Sequence, residues 1–165
     1  MWVSHNCQIL TYDHKLNKCK TFIIDDLYNK DNYHEVMIQS DKGWVQLEEL
    51  LFTGLKLSVE ASTINGHRIT IPTDGYLIDA GFDPICANRM RVGSHVVIDS
   101  GKSNGSLCQS YGLDGIISIK KLGYIHTYSI CIGGITHVSI NDFLIPSMSI
   151  EVRDLYNIGM YQIIE

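Results

Sequence analysis

The sequence predicts a single all-β domain, and three observations carry that reading. Ile occurs 23 times and Pro only 3, and a stiff, β-branched side chain suits a pleated surface better than a helix. Short apolar runs recur at spacings of roughly 8–12 residues with turn residues between them, the pattern of antiparallel strands joined by hairpins. The chain has 165 residues, 45% of them hydrophobic and 19% charged. That is enough to bury one core and too short for two comfortable domains.

The elements follow in order. Residues 7–12 (CQILTY) and 19–24 (CKTFII) predict two strands around a turn at 13–18. A short helical turn is expected between Asp25 and Tyr33, ending in the polar stretch Asn29-Lys30-Asp31-Asn32. HEVMIQ (34–39) is a strand and Asp41-Lys42-Gly43 a hairpin turn. WVQLEELLF (44–52) is a further strand despite imperfect alternation. LKLSVEAS (55–62) alternates cleanly, with Leu55, Leu57 and Val59 against Lys56, Ser58 and Glu60. Asn65-Gly66 predicts a two-residue turn, because both central residues then need positive φ, and HRITI (67–71) completes that hairpin. Pro72-Thr73-Asp74-Gly75 is a turn, followed by YLIDAG and, past Pro84, by RVGSHVVID (91–99). Residues 101–115, with four glycines and three serines and no periodicity, predict an exposed connection. IISIKKL (116–122), HTYSICI (126–132) and ITHVSI (135–140) are strands, and FLI (143–145) stops at Pro146. Residues 149–165 read as a strand, a short helix or an arm that docks on a partner.

Composition narrows the function classes. Lys+Arg 13 against Asp+Glu 18 gives a net charge of −5, so a broad grip on nucleic acid or on an anionic membrane is not expected. No apolar run approaches the roughly 18–20 residues of a membrane span, and MWVSHNCQIL shows no secretory signal. The five cysteines (Cys7, Cys19, Cys86, Cys108 and Cys131) are odd in number, scattered, and without CxxC pairing. They predict reduced thiols in a cytoplasmic-type compartment.

Three segments taken together resemble the Hint superfamily of inteins, Hedgehog autoprocessing domains and related self-cleaving modules. WVSHNCQILTYDHKLNKCKTFIIDDLY (2–28) looks like an intein's opening motif. LEELLFTGLKLSVEASTINGHRITIPTDGYLI (47–78) with MRVGSHVVID (90–99) looks like the middle motifs, and ISIKKLGYIHTYSICIGGITHVSINDFLIPSMS (117–149) like the closing ones. The resemblance covers residues 1–148 as one Hint-like domain, leaving 149–165 as a C-terminal tail. It implies a horseshoe of twisted antiparallel strands whose two ends meet at the reaction centre.

The chemistry implied by that resemblance needs particular side chains, and each position departs from them. A Cys or Ser must attack the carbonyl before it, but in the register set by Gln8-Ile9-Leu10-Thr11 this position is Trp2, and an indole cannot do so. Ser4 and Cys7 lie close in sequence, in a shifted register. A Thr and a His should polarise and protonate the leaving amide, typically worth about 10²-fold or more each; those positions are Pro72 and Gly75. The closing His-Asn-nucleophile junction falls on Pro146, Ser147 and Met148, and Ser cannot cyclise to a succinimide. Only His137 matches a family histidine, and Ser94 stands where the family has Asp.

These departures predict a domain that kept its scaffold and shed its reaction: a structural or protein-interaction module with no catalytic residues and no cofactor. Its partner would be another protein or further copies of the chain, with no nucleic-acid, membrane-span or small-molecule role. Leu155, Ile158, Met160, Ile163 and Ile164 are the candidate docking residues in the tail. The Ile-, Asn-, Lys- and Tyr-rich composition suggests an AT-rich genome such as that of a phage, a virus or a low-GC bacterium, with the protein expected in the cytoplasm or, if phage-encoded, in a virion or assembly complex. The alternative is a divergent autoprocessing protease with Cys7 or Ser4 as nucleophile, assisted by His137 and by His67 or His126. His5, Cys7, His14 and Cys19 match no compact zinc spacing, and Gly101-Lys102-Ser103-Asn104-Gly105 lacks the order of a phosphate loop.

Overall fold

The structure is a computed structural model describing residues 2–30, 33–99, 111–132 and 136–147. Among the described residues there are twelve strands: β1 Trp2–Ser4, β2 Gln8–Asp13, β3 Lys18–Ile23, β4 Val36–Ser40, β5 Gly43–Thr63, β6 Arg68–Pro72, β7 Tyr76–Ile78, β8 Pro84–Cys86, β9 His95–Asp99, β10 Tyr111–Ile132, β11 Thr136–Ile140 and β12 Phe143–Ser147. One short helix, α1 (Ile24–Tyr28), buries Ile24 and Leu27 and carries Asp25 and Asp26 in its first turn, where acidic groups favour the backbone dipole.

Ten strands form one antiparallel sheet in the order β1-β10-β9-β12-β11-β2-β4-β5-β6, with β3 on the outside of β2. Because β10 also pairs with β5, the path from β10 through β9, β12, β11, β2 and β4 to β5 closes on itself. The strands' inward residues, among them Ile38, Leu47, Leu50, Ile98, Ile116, Ile130, Val138 and Phe143, form the core, each almost wholly buried. β7 and β8 make a separate two-stranded sheet.

Several predicted elements merge. The strands expected at 44–52 and 55–62 are the single 21-residue β5, and those at 116–122 and 126–132 belong to the 22-residue β10. The join is made by bulges. Thr127 faces Gly54 and Tyr128 faces Phe52, so Thr53 is an extra residue; Lys121 faces Val59 and Gly123 faces Ser58, so Leu122 is extra. Gly54 and Gly123 take φ of 82° and 81°, the left-handed geometry that lets a bulge bend a strand without ending it. A break in alternation thus marks a bulge, where the sequence suggests two strands.

Other expectations shift in detail. The strand placed at 34–39 starts as a 3-10 turn at Tyr33–Glu35, and the strand within 91–99 is confined to His95–Asp99. Residues 111–115 of the expected loop are strand, paired with β9, while 101–110 lie outside the described residues, as does the tail. Asn65-Gly66 does not form the expected two-residue turn: only Gly66 has positive φ, Thr63 N donates to His67 O and Gly66 N to Thr63 O. That is a three-residue loop, a tight turn followed by a left-handed glycine. The two-residue turn with both residues left-handed is Asn141-Asp142, between β11 and β12 (φ 49° and 69°).

A Cβ on Gly54 would meet nothing within 4 Å, so the cost of Gly54→Ala is backbone strain alone. The expected loss is about 1–2 kcal/mol. Gly112, equally open but without positive φ, should tolerate alanine with no loss. Urea unfolding midpoints check this, and equal effects at the two sites would contradict the bulge assignment.

Candidate functional site

β1 lies along β10, with Trp2 opposite Ser129 and Ser4 opposite Thr127. That position brings the Trp2 indole beneath Lys56 of β5, whose Nζ stands 3.6 Å from the ring centroid. Lys56 Nζ also donates to Asp74 Oδ2 at 2.8 Å. Asp74 sits in the turn Pro72–Gly75, closed by Gly75 N donating to Pro72 O at 2.8 Å. One lysine therefore links Trp2 to the turn that contains Pro72 and Gly75. Asp74 is 55% exposed and Lys56 only 23%, so solvent screens the ion pair, typically worth about 0–1 kcal/mol. The cation–π contact, about 1–2 kcal/mol when partly desolvated, is the stronger term.

The turn has no space for another side chain. A Cβ on Gly75 would lie 2.7 Å from Ile71 Cγ1 and 3.1 Å from both Ile71 Cδ1 and Pro72 O, and Ile71 is fully buried. Gly75 lacks the positive φ that would otherwise explain a glycine, so packing alone excludes a larger residue here. Pro72 ends β6, an outer strand where its missing N–H leaves no ladder bond unmade.

The remaining candidates are engaged elsewhere. Cys7 is fully buried, and its thiol donates to Thr70 O at 3.5 Å. Burial pushes that thiol up to about 12, whereas nucleophilic attack needs the thiolate. Ser4 is buried and donates to Asn6 Oδ1 at 2.6 Å. His137 pairs with Asp41: Nδ1 to Oδ2 is 2.8 Å, His137 N donates to Asp41 Oδ1, and Asp41 N donates to His137 O. This clamps β11 to the β4–β5 turn. Pro146 and Ser147 are the register partners of His137 and Thr136 at the end of β12.

Two further His–Asp pairs had no signal in the sequence, since their partners lie 20 and 47 residues apart. His5 Nδ1 meets Asp25 Oδ2 at 2.8 Å, while Tyr128 Oη donates to Asp25 Oδ1 at 2.6 Å. Burial raises the Asp25 carboxyl, but the Tyr128 and His5 bonds outweigh it and hold it below the ordinary value. Burial and the same carboxylate push the Tyr128 phenol up. His67 Nδ1 meets the buried Asp114 Oδ2 at 3.0 Å. Burial raises Asp114 too, yet bonds from Thr63, His67 and the Asn65 N–H bring it below its usual value. Among the described residues no three His, Cys, Asp or Glu side chains converge to hold a metal. The His5, Cys7, His14 and Cys19 set is dispersed: His5 faces Asp25, Cys7 is buried, His14 stacks on Tyr12 and Cys19 is exposed.

No protein-family model and no curated protein matches the chain. Solved structures do match. A DnaB intein from Synechocystis sp. PCC 6803 superposes with a TM-score of 0.70 at 16% identity, covering 88% of this chain and 97% of that one. The VidaL intein (selenomethionine variant) gives 0.71 at 10% identity over 88% and 95%, and the gp41-1 intein 0.63 at 13% over 88% and 98%. The chain has the intein, or Hint, fold. The horseshoe suggested by the three sequence segments is thus the observed architecture.

The His67–Asp114 pair gives the fold a pH signature. The depressed value of Asp114 means that the carboxylate's stabilisation is present above the ordinary range and is lost as pH falls through the folded value. Wild-type stability should therefore decline as pH drops below about 4. Asp114→Asn should be less stable at neutral pH and show a shallower acid decline in urea titrations across pH 2.5–7. Identical acid slopes would remove Asp114 from the account.

Proposed function

We propose that this chain is a splicing-inactive Hint-fold domain, retained as a structural or protein-interaction module. The observation that carries the reading is the turn at Gly75, packed against Ile71 with no room for the proton donor that amide cleavage needs. On the same reading the nucleophile's position is held by Trp2, whose indole lies under Lys56 and whose ring nitrogen, with its lone pair delocalised, cannot attack a carbonyl. Fold and function separate here in a familiar way: a scaffold persists while the groups that act on a substrate change.

The partner-facing part of the proposal rests on residues 149–165. Leu155, Ile158, Met160, Ile163 and Ile164 supply apolar side chains for docking, in a chain rich enough in Ile, Asn, Lys and Tyr to suit a phage or viral assembly. The competing reading is self-cleavage through Cys7 or Ser4. Nothing in the surroundings of either side chain favours it, since one is a buried thiol held up at about 12 and the other a buried hydroxyl bonded to Asn6.

The two readings differ in mass. A fusion with a folded protein ahead of Met1 should keep its full-length mass after incubation with dithiothreitol or hydroxylamine. Thiol-induced release of the leading protein, abolished by Cys7→Ala or by Ser4→Ala, would establish autoprocessing and overturn the proposal.

A further inference from the structure

The middle of the β5–β10 ribbon carries an apolar surface that is open at Phe52, Leu55, Leu57 and Tyr124, while at one end Tyr128 and His126 touch Tyr28 and His5. Its cross-strand pairs are Leu57 with Tyr124, Leu55 with His126 and Phe52 with Tyr128. Alternation would place Phe52 on the opposite face from Leu55 and Leu57. The bulge at Thr53-Gly54 restores it to the same face, as its ring contacts show: 5.6 Å to His126 and 5.4 Å to Tyr128. The result is one continuous ladder three pairs long. Tyr128 is buried, but Tyr124 is 70% exposed, Leu55 57%, Leu57 49% and Phe52 48%. Scattered single apolar residues are ordinary on a surface, whereas a contiguous set of this kind marks a contact.

We infer that this ladder is the docking surface for the chain's own C-terminal tail, residues 149–165, bound in cis. The inference rests on the reading of that tail as a docking segment and names what it docks on. Reach permits it. Ser147 is the register partner of Thr136, four residues beyond Ile132, itself four beyond Tyr128. At about 3.5 Å per extended residue, with about 5 Å across the pair, Ser147 lies within roughly 33 Å of Tyr128. Leu155 can extend roughly 28 Å past Ser147, and Ile164 roughly 60 Å.

Chemistry and charge agree. The tail has Leu155, Ile158, Met160, Ile163 and Ile164 to set against the ladder. Its charged residues are Glu151, Asp154 and Glu165 against Arg153, three negative and one positive, a net of −2. The exposed Lys121 flanks the Tyr124 end of the ladder, while the neighbouring Lys120 stands opposite Glu60. A tethered segment also meets its surface at an effective concentration of order millimolar, far above that of a second copy at micromolar protein. The intramolecular occupant therefore wins at equal intrinsic affinity.

Hydrogen exchange on the full-length chain tests this, with light scattering to give the mass in solution. Peptides from 149–165 should exchange slowly in the monomer and about tenfold or more faster in Leu57→Lys/Tyr124→Lys. Both substituted residues are exposed, so the fold should be kept, which circular dichroism checks. Ile158→Asp, on the other side of the contact, should produce the same acceleration. A monomer whose tail exchanges at the rate of a free peptide overturns the inference. So does a concentration-dependent dimer in which the ladder is protected and the tail is not. Failure of the scaffold reading would appear separately, as thiol-induced loss of mass.

Discussion

Two paired strands of 21 and 22 residues fix where everything else sits. β5 and β10 run antiparallel for most of their length, and this pairing turns an open path of strands into a closed one. β1 hangs on β10 through Trp2–Ser4, β6 hangs on β5 through Arg68–Pro72, and β9 takes the first residues of β10. A ribbon so long would be straight and flat-ended without its glycines. Gly54 and Gly123 admit the extra residues that let it bend while its hydrogen bonds continue.

The ribbon also explains why distant residues meet beside its middle. Lys56 projects from β5 just before Ser58, where β6 joins, and so reaches both the indole delivered by β1 and the carboxylate in the turn after β6. Two kinds of contact hold that place. The indole and Asp74 share the lysine, with the ring contributing more because Asp74 is largely in water. The turn itself is set by packing: Ile71 fills the space beside Gly75. On the proposed reading this region has become a structural joint, with close packing where an intein would need a mobile proton.

Strand content and order were legible in the sequence because alternation and turn residues act locally. The all-β class and the placement of β2, β4, β9, β11 and β12 to within a few residues could be read this way, while the intein-like order of segments rests on the resemblance to a family. The bulges were not, since a skipped residue at Thr53 or Leu122 looks like the end of a strand when no partner is in view. The Asn65-Gly66 pair misled because the same two residues suit both a two-residue turn and a three-residue loop, and only the hydrogen bonds of Thr63 and His67 decide between them. At the candidate site the sequence identified Trp2, Pro72 and Gly75 but gave no hint of Lys56 or of the three His–Asp pairs. Those contacts join residues from 18 to 96 positions apart, and neither spacing nor composition encodes such distances.

The joint at Gly75 can be measured directly by a double-mutant cycle in urea unfolding. Gly75→His should cost about 1–3 kcal/mol by overpacking, and Ile71→Ala about 2–5 kcal/mol by the cavity it leaves. Because the imidazole would occupy the vacated space, the double variant should lose at least about 1 kcal/mol less than the sum of the two. Additivity within about 0.5 kcal/mol, or a Gly75→His variant as stable as the wild type, would mean that the turn had room for a histidine all along.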